Sequence, residues 1–295
     1  MAFLALIRSI LLKIWRFATI LGVAMEFHLP TKIDDGRLDW ALELLERSRS
    51  AGKKPLRLNW RKVISISPAG MAILACLFDT FVEQGNRVKC TFVAKRFKDI
   101  PTISNMMKIA DFRALPQSDA NSFEDDAMIL RGRTSLDPLF AEGFREKFAK
   151  VAGEEISYDC SLILSELMQN TVDHSTAERY YAYAGIWEDE MHAGVLDMGI
   201  SIPAKMAQRY DCTSDLEYLE LALREGITTR RRRSGGVGLA YFFDFLKRNE
   251  GKLTIMSRGA QVRRYFKTRR TQRGKIKFPL RGTWCFARFS LKGDR

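Results

Sequence analysis

From Met25 onward the chain alternates short apolar runs with helical ones, and few arrangements satisfy that order. EFHLP has the length and composition of a strand. Between Gly36 and Ser48, Leu38, Ala41, Leu42 and Leu45 recur at helical spacing. PLRLNW is a second strand. Pro68 then opens a helix, AGMAILACLFDTFVEQG, which stops at Gly85, and RVKCTFVA is a third strand. A β-α-β-α-β run over about seventy residues predicts a small α/β domain.

The pattern changes after it. Residues 114–137 are richer in Pro, Asp, Ser and Asn, which places a boundary there. Two helices are expected near 137–151 and 155–174. RYYAYAGIW and MHAGVLDMG read as a hairpin, followed by helices near 201–210 and 214–225. A helix at 236–249 and strands at 252–257, 260–267 and 283–290 complete the chain. Helices followed by a largely antiparallel sheet predict an α+β sandwich. The expected division is a segment 1–24, an α/β domain 25–130, and a second domain 131–295.

The length of 295 residues allows two cores, and 46% apolar with 28% charged residues describes a globular chain rather than a disordered one. Cys76, Cys90, Cys160, Cys212 and Cys285 are scattered without metal-ligand spacing, which points to buried thiols in a reducing cytoplasm. With only His28, His174 and His192, a histidine-rich metal site is not expected. The net charge of +13 is uneven: Arg224 to the end carries +17 and the rest −4. Such asymmetry suits a polyanionic partner, whether nucleotide phosphates, nucleic acid or anionic lipid.

One stretch puts polar groups where a helix should bury itself: LSELMQNTVDHS, residues 164–175. Glu166, Asn170 and Asp173 stand at i, i+4 and i+7 and form a narrow stripe among apolar neighbours. Three further segments follow in order. VLDMGISI (195–202) ends a strand on Asp197 and turns at Gly199. SGGVGL (234–239) runs glycines into a helix, and Gly282-Thr283 starts the last strand. Taken singly, these are a solvated face, a plain turn and a flexible loop. In this order and spacing they resemble the GHKL superfamily of histidine-kinase-like ATPases, which includes the anti-sigma-factor serine kinases. The resemblance covers about residues 137–292.

It implies a Bergerat-type α/β sandwich that binds ATP with Mg²⁺. Asn170 would be the metal ligand, giving one carbonyl oxygen to an ion otherwise held by phosphates and water. Glu166 would be the catalytic general base, accepting a proton from water or from a substrate hydroxyl. Asp173 completes a stripe that faces nucleotide. Asp197 would accept from the adenine amino group, Gly199 would let backbone approach the ring, and Thr283 would add a hydroxyl there. Gly235, Gly236 and Gly238 would bring helix N-terminal amides to the phosphates. TTRRRR (228–233) falls where this family places a mobile lid, with Arg230 as the γ-phosphate contact and Thr229 beside it among the nucleotide-binding residues. His174 could stand in for a phosphate-contacting residue. The basic segment 267–281 is expected to be a long hairpin or loop; nucleic acid is a weaker reading, since aromatic interleaving is almost lacking.

The front domain resembles, more faintly, a STAS domain of the anti-sigma-antagonist type. The match runs from LRLNW through the apolar helix to VKCTF. That family usually carries Asp-Ser-Ser/Thr-Gly where this chain has Ser67-Pro68-Ala69-Gly70, so the phosphorylated serine is missing and a docking or regulatory module is implied. Residues 1–24 form a basic amphipathic pattern with Arg8, Lys13 and Arg16. They read as a helix lying on an anionic membrane surface, as a helix packed on the protein, or as sequence upstream of a true start at Met25. The resulting expectation is a cytoplasmic ATP-dependent switch with slow hydrolysis, acting on an unidentified protein partner. An anti-sigma-like serine/threonine kinase and an ATP-binding scaffold on nucleic acid or membrane are alternatives. A homodimer stays open.

Overall fold

The computed structural model describes residues 25–52, 55–100, 103–104, 122–124, 127–132, 135–224 and 237–291. It is a mixed α/β chain with both parallel and antiparallel sheets. Strands β1 (Met25–His28), β3 (Leu56–Asn59) and β5 (Val88–Thr91) form a parallel sheet in the order β1-β3-β5. The two-residue strands β2 (Lys32–Ile33) and β4 (Ser65–Ile66) pair beside it. Helices α1 (Asp39–Ala51) and α2 (Pro68–Glu83) make the crossovers, and a short α3 (Lys95–Lys98) follows β5.

The second sheet has six antiparallel strands, ordered β10-β11-β9-β8-β7-β6. They are β6 (Ser122–Glu124), β7 (Ala127–Gly132), β8 (Tyr180–Trp187), β9 (Glu190–Asp197), β10 (Lys252–Tyr265) and β11 (Arg270–Ser290). This sheet therefore begins at Ser122, inside the 114–137 stretch where the composition changes. Helices α4 (Pro138–Ala152), α5 (Glu154–His174), α6 (Ile202–Met206), α7 (Asp215–Ala222) and α8 (Val237–Arg248) belong to the same half. Segment 267–281 lies mostly in β11, so β10 and β11 form one long basic hairpin.

Period-2 alternation sets the layering. On one face, Ala127, Ile129, Tyr181, Tyr183, Leu196, Trp284 and Phe286 share a core with α1 and α2. On the other, Met128, Leu130, Ala182, Val195, Cys285 and Ala287 share a core with α4, α5 and α8. Helix α2 is thus enclosed between two sheets, which explains its burial from Pro68 to Phe81. A helix apolar all round needs such an enclosure. Its start is set by Pro68 and by Ser67, whose Oγ accepts from the Gly70 amide at 3.1 Å. The layers are tied by polar contacts as well. Tyr181 Oη donates to the buried Asp79 of α2 at 2.8 Å, and Lys252 and Asp35 form a buried ion pair at 3.8 Å. Among the described residues no helix is long and apolar enough to cross a membrane; the basic segment 1–24 lies outside them.

Candidate functional site

Helix α5 carries the polar stripe. Glu154 and Glu155 occupy its first turn, where acidic residues complement the helix dipole. Glu166 and Asn170 follow on a half-buried edge, one turn apart, with the Asn170 amide nitrogen 3.4 Å from Glu166 Oε1. That orientation directs the amide oxygen away from the carboxylate. Asp173 is exposed and accepts from the Gln169 amide at 2.7 Å. His174 is the last residue of the helix.

The helix ends at Ser175, and its end meets the end of β9. Ser175 N–H closes on the Thr171 carbonyl, while its hydroxyl donates to Asp197 Oδ1 at 2.8 Å. The same oxygen accepts from the Gly199 amide at 2.8 Å. Asp197 is almost wholly enclosed, at 4% exposure. Burial raises its carboxyl from 3.8 to about 6, opposed by hydrogen bonds from the Gly199 amide, the Ser175 hydroxyl and the Thr283 amide. Its ionisation therefore falls closer to neutrality than that of an ordinary aspartate.

Glycines make the junction possible. A Cβ at Gly282 would collide with the backbone carbonyl of Asp197, so β11 can lie against the end of β9 only with glycine there. At Gly199 the space of a Cβ is filled by the Ser175 hydroxyl and the backbone of Thr176 and Ala177. Gly199 thus serves the close approach of the 175–177 turn. Thr283 Oγ1 lies 2.9 Å from Ser257 Oγ, and Ser257 in turn receives the Ile202 amide at 2.8 Å. Segments 197–202, 257 and 282–283 are knitted into one corner at the end of α5.

Gly238 is the second residue of α8. That helix is bonded to α5 by Tyr241 Oη, which donates to Asp159 Oδ1 at 2.5 Å, and by Arg248, 3.4 Å from Asp159 Oδ2. Thr229, Arg230, Gly235 and Gly236 lie outside the described residues. The structure brings Asp197, Gly199 and Thr283 into direct contact and places Glu166 and Asn170 together on the helix that ends beside them.

Sequence reasoning passes over Ser175, Ser257 and Asp159. Ser175 closes the polar stretch itself, but a serine after a helix reads as a cap. Ser257 and Asp159 give no local signal, since their partners are 26 and 82 residues away. Among the described residues no group of three or more His, Cys, Asp and Glu side chains is placed to hold a metal ion. No protein-family model matches the chain, and comparison with curated proteins finds no significant match.

Proposed function

We propose that the half of the chain from about residue 131 is a GHKL-type ATP-binding domain, working with Mg²⁺ as an ATP-dependent switch on a protein partner and hydrolysing slowly. The observation that carries the reading is Asp197. A carboxylate enclosed this fully is costly unless it meets donors, and here the Gly199 amide of its own turn is joined by donors from two sequence-distant segments, Ser175 and Thr283, to fix it at the end of a helix bearing Glu166 and Asn170. Such a fixed acceptor suits an exocyclic amino group, and the residue types around it fit an adenine nucleotide.

In this reading Asp197 orients the base, and Ser175 and the Gly199 amide orient Asp197. The Asn170 oxygen, turned away from Glu166, would hold Mg²⁺ together with phosphate oxygens and water. When bound, the ion supplies neutralisation of phosphate charge. Glu166 takes a proton from the attacking water or hydroxyl. The front domain, read as STAS-like, is the candidate receiver of the signal. Its helix α2 lies against the six-stranded sheet, and the charge of Asp197 contributes to holding the Cys76 thiol of α2 well above its ordinary value, after burial and Asp79.

Calorimetric titration with ATP and GTP, with and without Mg²⁺, is the test. A donor–acceptor mismatch at a buried acceptor costs about 1–3 kcal/mol, so GTP should bind roughly ten- to a hundredfold more weakly. Equal affinities, or no binding, would overturn the site. Labelled ATP then separates hydrolysis, which releases phosphate, from a kinase, which labels protein.

A further inference from the structure

We propose that the carboxyl edge of the three-stranded parallel sheet is a membrane-contact surface for anionic phospholipid headgroups, independent of the nucleotide site and of residues 1–24. Because β1, β3 and β5 run parallel, the loops that follow them emerge on one edge. Two large apolar side chains stand on these loops, Ile64 at 62% exposure and Phe92 at 58%. They rise from a packed base in which Trp60, Val63 and Phe97 are buried. The loops are braced against each other: the Trp60 amide donates to the Thr91 carbonyl at 2.9 Å, and Arg96 donates to the Ile64 carbonyl at 3.0 Å. Phe92 also sits at φ 60, a left-handed conformation that bulky residues rarely adopt and that persists only where the surroundings hold it. An exposed aromatic held in a strained pose, with no core to fill, is a feature that calls for a contact.

Charge identifies the occupant. Segments 60–64 and 91–99 contain Arg61, Lys62, Lys95, Arg96 and Lys98 against the single acid Asp99, and all five cations are exposed. The cationic segment 1–24, which has no acid, is of the same sign and does not suit this edge. A stable protein interface buries about 1,200–2,000 Å², whereas two projecting side chains on separate loop tips suit shallow insertion. Lys and Arg near an anionic leaflet are each attracted to it, with their stems lying along the apolar boundary. RNA is disfavoured because Phe92 is the one exposed aromatic on these loops and the Arg61 guanidinium, 4.1 Å from the ring centre, already covers one of its two faces, leaving little platform for successive bases.

The test uses the full chain with vesicles of phosphatidylcholine, with and without phosphatidylserine. Phe92→Trp reports locally: its added emission should be quenched by brominated lipid only in phosphatidylserine vesicles. Ile64→Ser with Phe92→Ser removes two exposed side chains without touching the core, and should lower partitioning at least about tenfold while the circular dichroism stays unchanged. Unchanged partitioning of that double variant, with the added emission of Phe92→Trp left unquenched, would overturn the proposal and leave any membrane binding to residues 1–24. So would a loss of RNA or acidic-peptide binding with vesicle binding intact.

Discussion

The hydroxyl of Ser175 lies 2.8 Å from Oδ1 of Asp197 and joins the end of helix α5 to the end of strand β9. This bond links the helix that bears Glu166 and Asn170 to the enclosed carboxyl that would read the base. Ser175→Ala deletes one of the donors holding Asp197 and leaves the carboxyl in place. Losing a donor to a buried group costs about 1–3 kcal/mol, and the Asp197 proton should become harder to remove. Thermal unfolding should fall accordingly, and carboxyl NMR should place the titration above the value of about 6. An unchanged titration would show that the Ser175 bond is absent in solution.

Asp197 also sets a pH dependence whose sign is fixed. Its folded value, about 6, lies above its ordinary value of 3.8, so the folded state is favoured most when the group is protonated. That contribution is complete below about pH 4 and is lost as pH rises through 6; it amounts to about 3 kcal/mol. Asn in its place cannot titrate. Chemical denaturation of Asp197→Asn and wild type should show the difference shifting toward the variant by up to that amount between about pH 4 and pH 7. A difference that stays flat would mean that Asp197 does not titrate in this range. Adenosine, which has no phosphate to titrate, should bind the wild type more tightly at pH 7 than at pH 5, because its amino group favours the ionised acceptor.

Much of this arrangement is legible in the sequence. The β-α-β-α-β order is carried by local periodicity, and the strands RYYAYAGIW and MHAGVLDMG stand out as near-continuous apolar runs because each is buried on both faces, against two different cores. The stripe on α5 stands out because charged residues interrupt an apolar run. Other features depend on contacts far along the chain. Strand β6 has three residues and β2 and β4 two each, too few for any period to register. That β11 inserts between β9 and β10, or that Ile276 and Phe278 reach out of it toward the front domain's core, follows from pairing register alone. Asp79 looks like an ordinary polar position in a helix, because its partner Tyr181 is 102 residues away.

That last bond provides a test of how the two halves are joined. Tyr181→Phe removes a donor from a fully buried carboxyl and should destabilise the protein by about 1–3 kcal/mol. Asp79→Leu leaves an apolar side chain of similar size on the same face of α2. In that background Tyr181→Phe should cost much less, since no buried acceptor is left short. A double-mutant cycle from urea unfolding measures the difference, and full additivity would mean that the hydroxyl contributes nothing across the layer.

Glu166 and Asn170 share one edge of α5, yet they should fail in different ways. They lie one turn apart with only a long contact, 3.4 Å, between them, so neither is required to hold the other in place. Both are half-buried, and truncation to alanine opens no core cavity. Glu166→Ala should therefore keep Mg-ATP affinity and lose turnover by about 10²–10⁴, the usual contribution of a positioned base. Asn170→Ala removes an oxygen that would complete the coordination of the ion, so its loss should appear in affinity, and more strongly with Mg²⁺ than with EDTA. Calorimetry combined with single-turnover hydrolysis separates the two. Full turnover in Glu166→Ala would remove it from the role of base, and equal ATP affinity of Asn170→Ala and wild type in Mg²⁺ would remove Asn170 from the ion.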